Sequence, residues 1–232
     1  MAARKHVSRE QLLARARALL EERGLEDFSL RSLAEDLGIT SPSLQWHVGS
    51  REQLLVDVVD AFMAETVLPP MELDPVAWLT DAAVALRDHL RKHERLIPLV
   101  RELCFLAPSV VTIENDVAEM LVRLGLDGPG VQRAHVAYLS LVLGFTFVEA
   151  ARDEAAERAT TSMREAMDAA QERGLRDRPN LAAALSDALS DRADQRTSDE
   201  LFRDAVELLL QGVLPAVRPG GRGSRRRALG PR

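Results

Sequence analysis

The stretch Leu37-Gly38-Ile39-Thr40-Ser41-Pro42-Ser43-Leu44-Gln45-Trp46-His47-Val48 decides the fold of this 232-residue chain. It lies between two amphipathic helical patterns near the N-terminus. Gly38 ends the first, and the linker Gly38-Ile39-Thr40 is short enough to force a tight crossing, with Ile39 turned inward as the pin. Ser41 offers a cap for the next helix, and Pro42 stands at its first position, where a missing N–H does no harm. Leu44 and Val48, one turn apart, anchor that helix to a core and leave Thr40, Ser41, Ser43, Gln45 and His47 pointing outward. Trp46 reads as a brace between this helix and the following one, or as a DNA contact. A short helix held on one side, polar on the other and entered by a tight turn is the second half of a helix-turn-helix, which lays side chains in the major groove of DNA.

The neighbouring sequence supplies the rest of the bundle. Ser8 caps a helix over 9–23 whose inward stripe is Leu12, Leu13, Ala16, Leu19 and Leu20, with Gly24 as a left-handed stop. Ser29 caps the next, with Leu30, Leu33, Ala34 and Leu37 inward and Phe28 placed to staple its entry. A helix opening at Arg51-Glu52 runs through Leu54, Leu55, Val58, Val59 and Phe62 to about 66. It is longer than a DNA-binding bundle needs, so it is expected to couple two domains.

Leu68-Pro69-Pro70-Met71 breaks the helical pattern and sets a boundary. We therefore expect a DNA-binding domain over 1–67, a second domain over 68–217 and a tail over 218–232 with six arginines and no acid, which is expected to be disordered. Asp74 before Pro75 starts a helix reaching about 93, followed by helices near 95–105, 109–124, 131–156 and 198–213, with 125–130 as a turn. The helix over 131–156 is apolar on more than one face, as expected of one buried both by its own domain and by a partner. From 154 to 196 the chain is rich in Ala, Asp, Glu and Arg, and helical pieces joined by a mobile loop are expected there. No segment of length alternates with period two, so the fold class is all-α.

Composition narrows the function. Hydrophobic residues make up 46% of the chain, enough to bury a core. No run approaches the ~18 uninterrupted apolar residues of a membrane span, and the N-terminus lacks the apolar stretch of a signal peptide, so a cytoplasmic protein without membrane contact is expected. The single Cys104 fits a reducing compartment and leaves no pair for a disulfide. A net charge of -6 counts against nucleic acid. The first 66 residues do not reverse it, with 8 Lys or Arg against 11 Asp or Glu. Local grouping matters more: Arg4, Lys5, His6 and Arg9 cluster before the first helix, and phosphate contacts come from such groups and from helix N-termini.

The candidate DNA contacts are Lys5, Arg31, Thr40, Ser41, Pro42, Ser43, Gln45, Trp46, His47 and Arg51. A candidate ligand pocket, apolar with a few polar groups, is lined by Phe62, Trp78, Leu103, Cys104, Phe105, Asn115, Tyr138 and Phe145. His89 and His93 are one turn apart, a spacing able to bind metal, but Leu90-Arg91-Lys92 between them carries basic charge, so solvated histidines and no metal or cofactor are expected. The sequence carries no phosphate-cradling Gly-rich loop and no nucleophile elbow, so no catalytic residue is assigned and the chain is not expected to be an enzyme.

The N-terminal residues resemble the TetR family of one-component regulators. The likeness rests on Ser29-Leu30-Arg31-Ser32-Leu33-Ala34, Leu37-Gly38-Ile39, Leu44-x-Trp46-His47-Val48 and Arg51-Glu52-x-Leu54-Leu55. Trp46-His47-Val48 is similar to the subgroup of the tetracycline repressor. The resemblance departs at Gln45, where the family usually has a tyrosine that looks toward a phosphate, and at Gly49, often basic there. It implies a C-terminal domain with a small-molecule pocket, paired to a second copy through a four-helix bundle, here assigned to 131–156 and 198–213. It implies a homodimeric repressor that binds a palindromic operator and is released by a small hydrophobic effector. The alternatives are an effector-independent activator or architectural regulator of the same fold and, remotely, an all-α carrier or enzyme.

Overall fold

A computed structural model describes residues 7–176, 178–180 and 195–213. Lys5, the tail over 218–232 and part of the 178–196 segment lie outside these residues. Among the described residues every regular element is helical: α1 (Arg9–Arg23), α2 (Leu30–Leu37), α3 (Ser41–Val48), α4 (Arg51–Ala64), α5 (Pro75–Arg91), α6 (Ile97–Leu103), α7 (Pro108–Arg123), α8 (Gly128–Arg158), α9 (Thr161–Leu175) and α10 (Gln195–Val213). Short 3-10 turns at Glu94–Leu96 and Cys104–Leu106 flank α6.

Local chemistry sets the helix starts. The Ser8 hydroxyl accepts from Gln11 N–H at 3.1 Å while Ser8 N–H donates to Gln11 Oε1 at 3.1 Å, a closed capping box. Ser29 and Ser32 make the same exchange at the start of α2. At α3 the cap is Thr40, not Ser41: Thr40 is extended (φ -82, ψ 147) and its Oγ1 accepts from Ser43 N–H at 3.4 Å. Ser41 is already helical, and Pro42 therefore sits at the second position, where its missing N–H again has no partner to lose. Gly38 adopts the left-handed conformation (φ 68, ψ 35) that a residue with a Cβ avoids, and this turns the chain from α2 into α3. Gly24 also has positive φ, but at φ 82 and ψ 172 it lies outside the left-handed helical region expected for it.

The long helix starts at Gly128 rather than near 131. Asp127 Oδ1 accepts from Gly130 N–H at 2.9 Å, and Pro129 fits the first turn. Two glycines and a proline read as a turn, yet here they sit inside the capped end of a 31-residue helix.

Leu12, Ala16, Leu19, Leu20, Leu33, Ala34, Leu37, Leu44 and Val48 form the core of the N-terminal bundle, continuous with Leu54, Leu55, Val58, Val59 and Phe62 of α4. Helix α4 packs against α1 and α3 on one side and α6 and α7 on the other, so it belongs to both halves as expected. Its Asp60 accepts from the Ser109 N–H at 2.7 Å, fastening α4 to the first turn of α7. The C-terminal helices α5, α7, α8 and α10 pack around Trp78, Leu79, Val117, Tyr138, Val142 and Phe202. Helices α8 and α10 run antiparallel, because Glu149 meets Ser198 while Phe145 meets Phe202.

Inside this apolar core lies an arginine. Arg87 on α5 is 1% exposed; its Nε and Nη2 donate to the two carboxylate oxygens of Glu149 on α8 at 2.7 and 2.8 Å, and its Nη1 donates to Asp199 on α10 at 2.7 Å. The Phe202 ring centroid lies 5.1 Å from the guanidinium. Among the described residues α8 is long and apolar enough to cross a membrane, by length and composition. One of its sides is buried against α5, α7 and α10 and carries the Glu149 ion pair.

Candidate functional site

Helix α3 is held by its two apolar residues, Leu44 and Val48, which are fully buried. Thr40, Ser41, Pro42, Ser43, Gln45 and Trp46 are exposed, and His47 is half-buried at the end of the helix. The structure thus gathers seven of the predicted contacts on one face. That face is uncharged, with hydroxyl, amide, imidazole and aromatic groups suited to base edges rather than to bulk phosphate attraction.

Trp46 does not brace α3 against α4. It is 82% exposed, and among the described residues its one ring contact is an edge-on approach to His47 with centroids 4.9 Å apart. Residues 44 and 48 hold the inward face, so the helical period turns residue 46 away from the bundle. An indole left in water on a polar helix face is available to a partner's surface.

The cations at the edges are arranged differently from expectation. Arg51, a candidate DNA contact, turns inward: its Nη2 donates to the Leu25 carbonyl at 3.3 Å, and its guanidinium lies 6.0 Å from the Phe28 ring centroid. Arg31 is exposed and pairs with Glu35 one turn on at 2.9 Å. Arg9 has a role that sequence reasoning missed. Its Nη2 pairs with Asp57 of α4 at 2.5 Å and its Nη1 donates to the His47 carbonyl at 3.4 Å, so one side chain from α1 holds the last turn of α3. The sequence signal for it was its place in the basic cluster at the start of α1.

None of the eight residues predicted to line a pocket lines either of the two clefts described below, and their surroundings differ. Phe105 is 72% exposed and Asn115 is also exposed, because α6 ends in a turn that points Phe105 outward and Asn115 occupies the solvent side of α7. The polar tips of Trp78 and Tyr138 are both used internally: Trp78 Nε1 donates to the Pro69 carbonyl at 2.8 Å and the Tyr138 hydroxyl to the Leu79 carbonyl at 2.6 Å. Burial pushes the Tyr138 phenol far above its ordinary pKa, so it stays a neutral donor. Cys104 is buried, with its thiol pKa raised by that burial, and Leu103 is half-buried. Phe145 packs against Phe202 with centroids 5.1 Å apart. Phe62 stacks on His89 with centroids 4.2 Å apart.

Two clefts open elsewhere. One of about 350 Å³ lies between the start of α5 and the end of α10 and is lined by Asp74, Val76, Ala77, Thr80, Asp81, Glu207, Leu210 and Gln211. The other, about 240 Å³, lies where α1 meets the end of α5. Among the described residues no group of His, Cys, Asp and Glu is arranged to hold a metal ion. His89 and His93 are not solvated histidines: they pack against α4 and α1 respectively.

With this geometry in place, the relatives are informative. Residues 12–58 match the family of bacterial regulatory proteins, tetR family, and residues 74–217 match the tetracyclin repressor-like C-terminal domain. An HTH-type transcriptional regulator of Saccharopolyspora erythraea is 27% identical over 158 residues, which is 66% of each chain. The tetracycline repressor protein class A from transposon 1721 of Escherichia coli is 28% identical over 205 residues, 84% of this chain and 85% of that one. Among solved structures, the Streptomyces coelicolor TetR family protein ActR in complex with actinorhodin superposes with a TM-score of 0.73 at 20% identity, over 92% of this chain and 100% of that one. BioQ with its double-stranded DNA operator superposes with a TM-score of 0.63 at 20% identity, over 90% and 99%. The helix-turn-helix match, the match across most of the C-terminal helices and the shared architecture together establish that the chain belongs to the TetR family of DNA-binding transcriptional regulators.

Proposed function

We propose that the protein is a homodimeric repressor that binds a palindromic operator in the cytoplasm and leaves it when a small hydrophobic effector binds the C-terminal helices. The observation that carries the DNA half of this reading is the exposed, uncharged face of α3, presented by the buried pins Leu44 and Val48. Two copies of α3 would enter successive major grooves about 34 Å apart. An effector that prefers a different domain arrangement lowers operator affinity by its differential binding to the two states, and α4, packed against both halves, carries the displacement. The complexes of BioQ with DNA and of ActR with actinorhodin support the two halves separately.

The internal bonds of Trp78 and Tyr138 favour a second reading, a regulator of the same fold without an effector, since both polar groups are already satisfied. A mobility-shift assay separates the two. The probe is a duplex selected by the protein from a random library, challenged with a panel of hydrophobic antibiotics and metabolites. Release by any member supports the first reading, and full retention with all of them supports the second. No selected sequence bound above non-specific levels would sink both.

The reading face makes a direct prediction. Gln45→Ala should weaken binding to the selected duplex by about 1 to 3 kcal/mol per half-site, the value of a bidentate base contact. The midpoint of thermal unfolding should not move, because the side chain is exposed. Fluorescence anisotropy together with circular dichroism reads both. Unchanged affinity would remove Gln45 from the reading set.

A further inference from the structure

We infer that the contact between the N-terminal bundle and the C-terminal helices is a proton-sensitive joint, in which neutral His89 locks α1, α4 and α5 together and thereby holds α3 in its DNA-binding position. The joint is built from side chains of three helices and of the 3-10 turn that follows α5. Arg17 of α1 donates through Nη1 to both carboxylate oxygens of Glu65, at the end of α4, at 2.7 Å, and through Nε to Glu21 at 3.1 Å. Its guanidinium lies 5.0 Å from the Phe62 ring centroid. His89 of α5 stacks on that ring, with an interplanar angle of 21°. His93 approaches the ring edge-on at 5.3 Å, its Nδ1 lies 2.9 Å from Glu21, and Arg17 Nη2 lies 3.3 Å from its Nε2. Arg95 closes the seam by donating to the Glu21 and Glu22 carbonyls in the last turn of α1, at 3.3 and 2.8 Å.

His89 is the group whose charge this arrangement opposes. Its Nε2 stands 2.9 Å from the Phe62 carbonyl, which can only accept, so Nε2 carries the hydrogen and Nδ1 is left to titrate. A second proton places a cation in a half-buried stack. Facing it are Arg17 from α1 and His93 from the turn just after α5, both of which oppose it, and Glu65 at the end of α4, which favours it; the Glu21 carboxylate pairs with Arg17 and His93. Burial is the largest influence and lowers the pKa, the Phe62 carbonyl raises it in part, and the net direction is below the ordinary 6.5. A histidine with a lowered folded pKa stabilises the locked joint fully at pH above that ordinary value. The stabilisation is lost as pH falls below it and through the folded value. The cleft of about 240 Å³ lined by Glu21, Arg91, Lys92, His93, Glu94 and Arg95 brings solvent to the same seam.

The functional consequence rests on the reading that the unliganded arrangement is the one that binds operator. The test compares the full-length protein with His89→Gln, which keeps an N–H donor for the Phe62 carbonyl and cannot titrate. The probe is a labelled duplex selected by the wild-type protein from a random library at pH 7.5. Between pH 7.5 and 5.5 the wild type is expected to lose several-fold more affinity than His89→Gln, because only the wild type takes up a proton at the joint. His93→Gln should retain the loss. Superimposable wild-type and His89→Gln profiles, or a loss abolished only by His93→Gln, would overturn the assignment. A wild type that selects no duplex at pH 7.5 sinks the operator reading instead. Amide exchange in α1, α4 and the end of α5, corrected for intrinsic rates, then decides: faster opening at pH 5.5 in the wild type than in His89→Gln supports the joint, and equal opening overturns it. His89→Asn replaces the glutamine variant should that one not fold.

Discussion

Arg87→Met is expected to destabilise the protein by about 3 to 5 kcal/mol, because it leaves Glu149 buried without its principal counter-ion. At this chain length that corresponds to a fall of roughly 6 to 20 °C in the midpoint of thermal unfolding. The double variant Arg87→Met, Glu149→Leu should recover most of the loss, since apolar groups of similar volume replace a buried ion pair at little cost. The acid limb of stability tests the same pair. Burial alone would raise the Glu149 carboxyl, but the bonds from Arg87 and Ser198 outweigh it and hold the group below the ordinary carboxylate range. A depressed folded pKa gives stability that is present above the unfolded value near 4.3 and is lost as pH falls through the folded one. Arg87→Met should therefore flatten the decline below about pH 4.5. A single variant within about 1 kcal/mol of the parent would show the triad to be inessential.

That triad also marks where sequence reading stops. Helix caps, stripes and turns were legible because the interacting residues are three or four positions apart: Ser8 with Gln11, Ser29 with Ser32, Leu44 with Val48. Arg87 and Glu149 are 62 residues apart, and Arg87 and Asp199 are 112 apart. Each reads locally as a surface charge on an amphipathic helix. A faint signal existed, since Arg87 falls among Leu79, Ala83, Leu86 and Leu90 on the apolar stripe of α5, as Glu149 does after Tyr138, Val142 and Thr146 on α8. A charge on such a stripe invites a search for its opposite on another.

The two histidines failed in the opposite way. His89 and His93 read as solvated because their sequence neighbours are basic, whereas their environment comes from α1 and α4. For Trp46 only the brace fails: a large ring suggests packing, but the register fixed by Leu44 and Val48 sends position 46 outward. The pocket was least legible of all. Residue type alone suggests its lining, and neither the exposure of Phe105 nor the internal bonds of Trp78 and Tyr138 can be read from type.

In the proposed homodimer, introducing Asp at both Val148 and Leu208 is expected to abolish dimerisation and reduce operator binding by more than about 100-fold. On α8, Val136, Ser140, Gly144 and Val148 form one exposed stripe at four-residue spacing; on α10, Leu201 and Leu208 lie on an exposed line ending at Gly212. Val148 is 51% and Leu208 71% exposed in the single chain. Small residues beside branched apolar ones allow close helix approach, and α8 and α10 already pack antiparallel as a two-helix layer. A second copy related by a two-fold axis would complete a four-helix bundle, the same patch meeting itself. A palindromic site is bound tightly only when the first half-site contact raises the local concentration of the second reading helix, a gain a monomer forfeits without losing any residue of α3. Asp at these positions costs the isolated chain little, because both side chains face water there, but buries unpaired carboxylates in the bundle. Sedimentation velocity and anisotropy on the selected duplex separate the effects. A variant that remains dimeric at micromolar concentration would place the interface elsewhere, and a folded monomer with undiminished operator affinity would mean that each copy reads DNA alone.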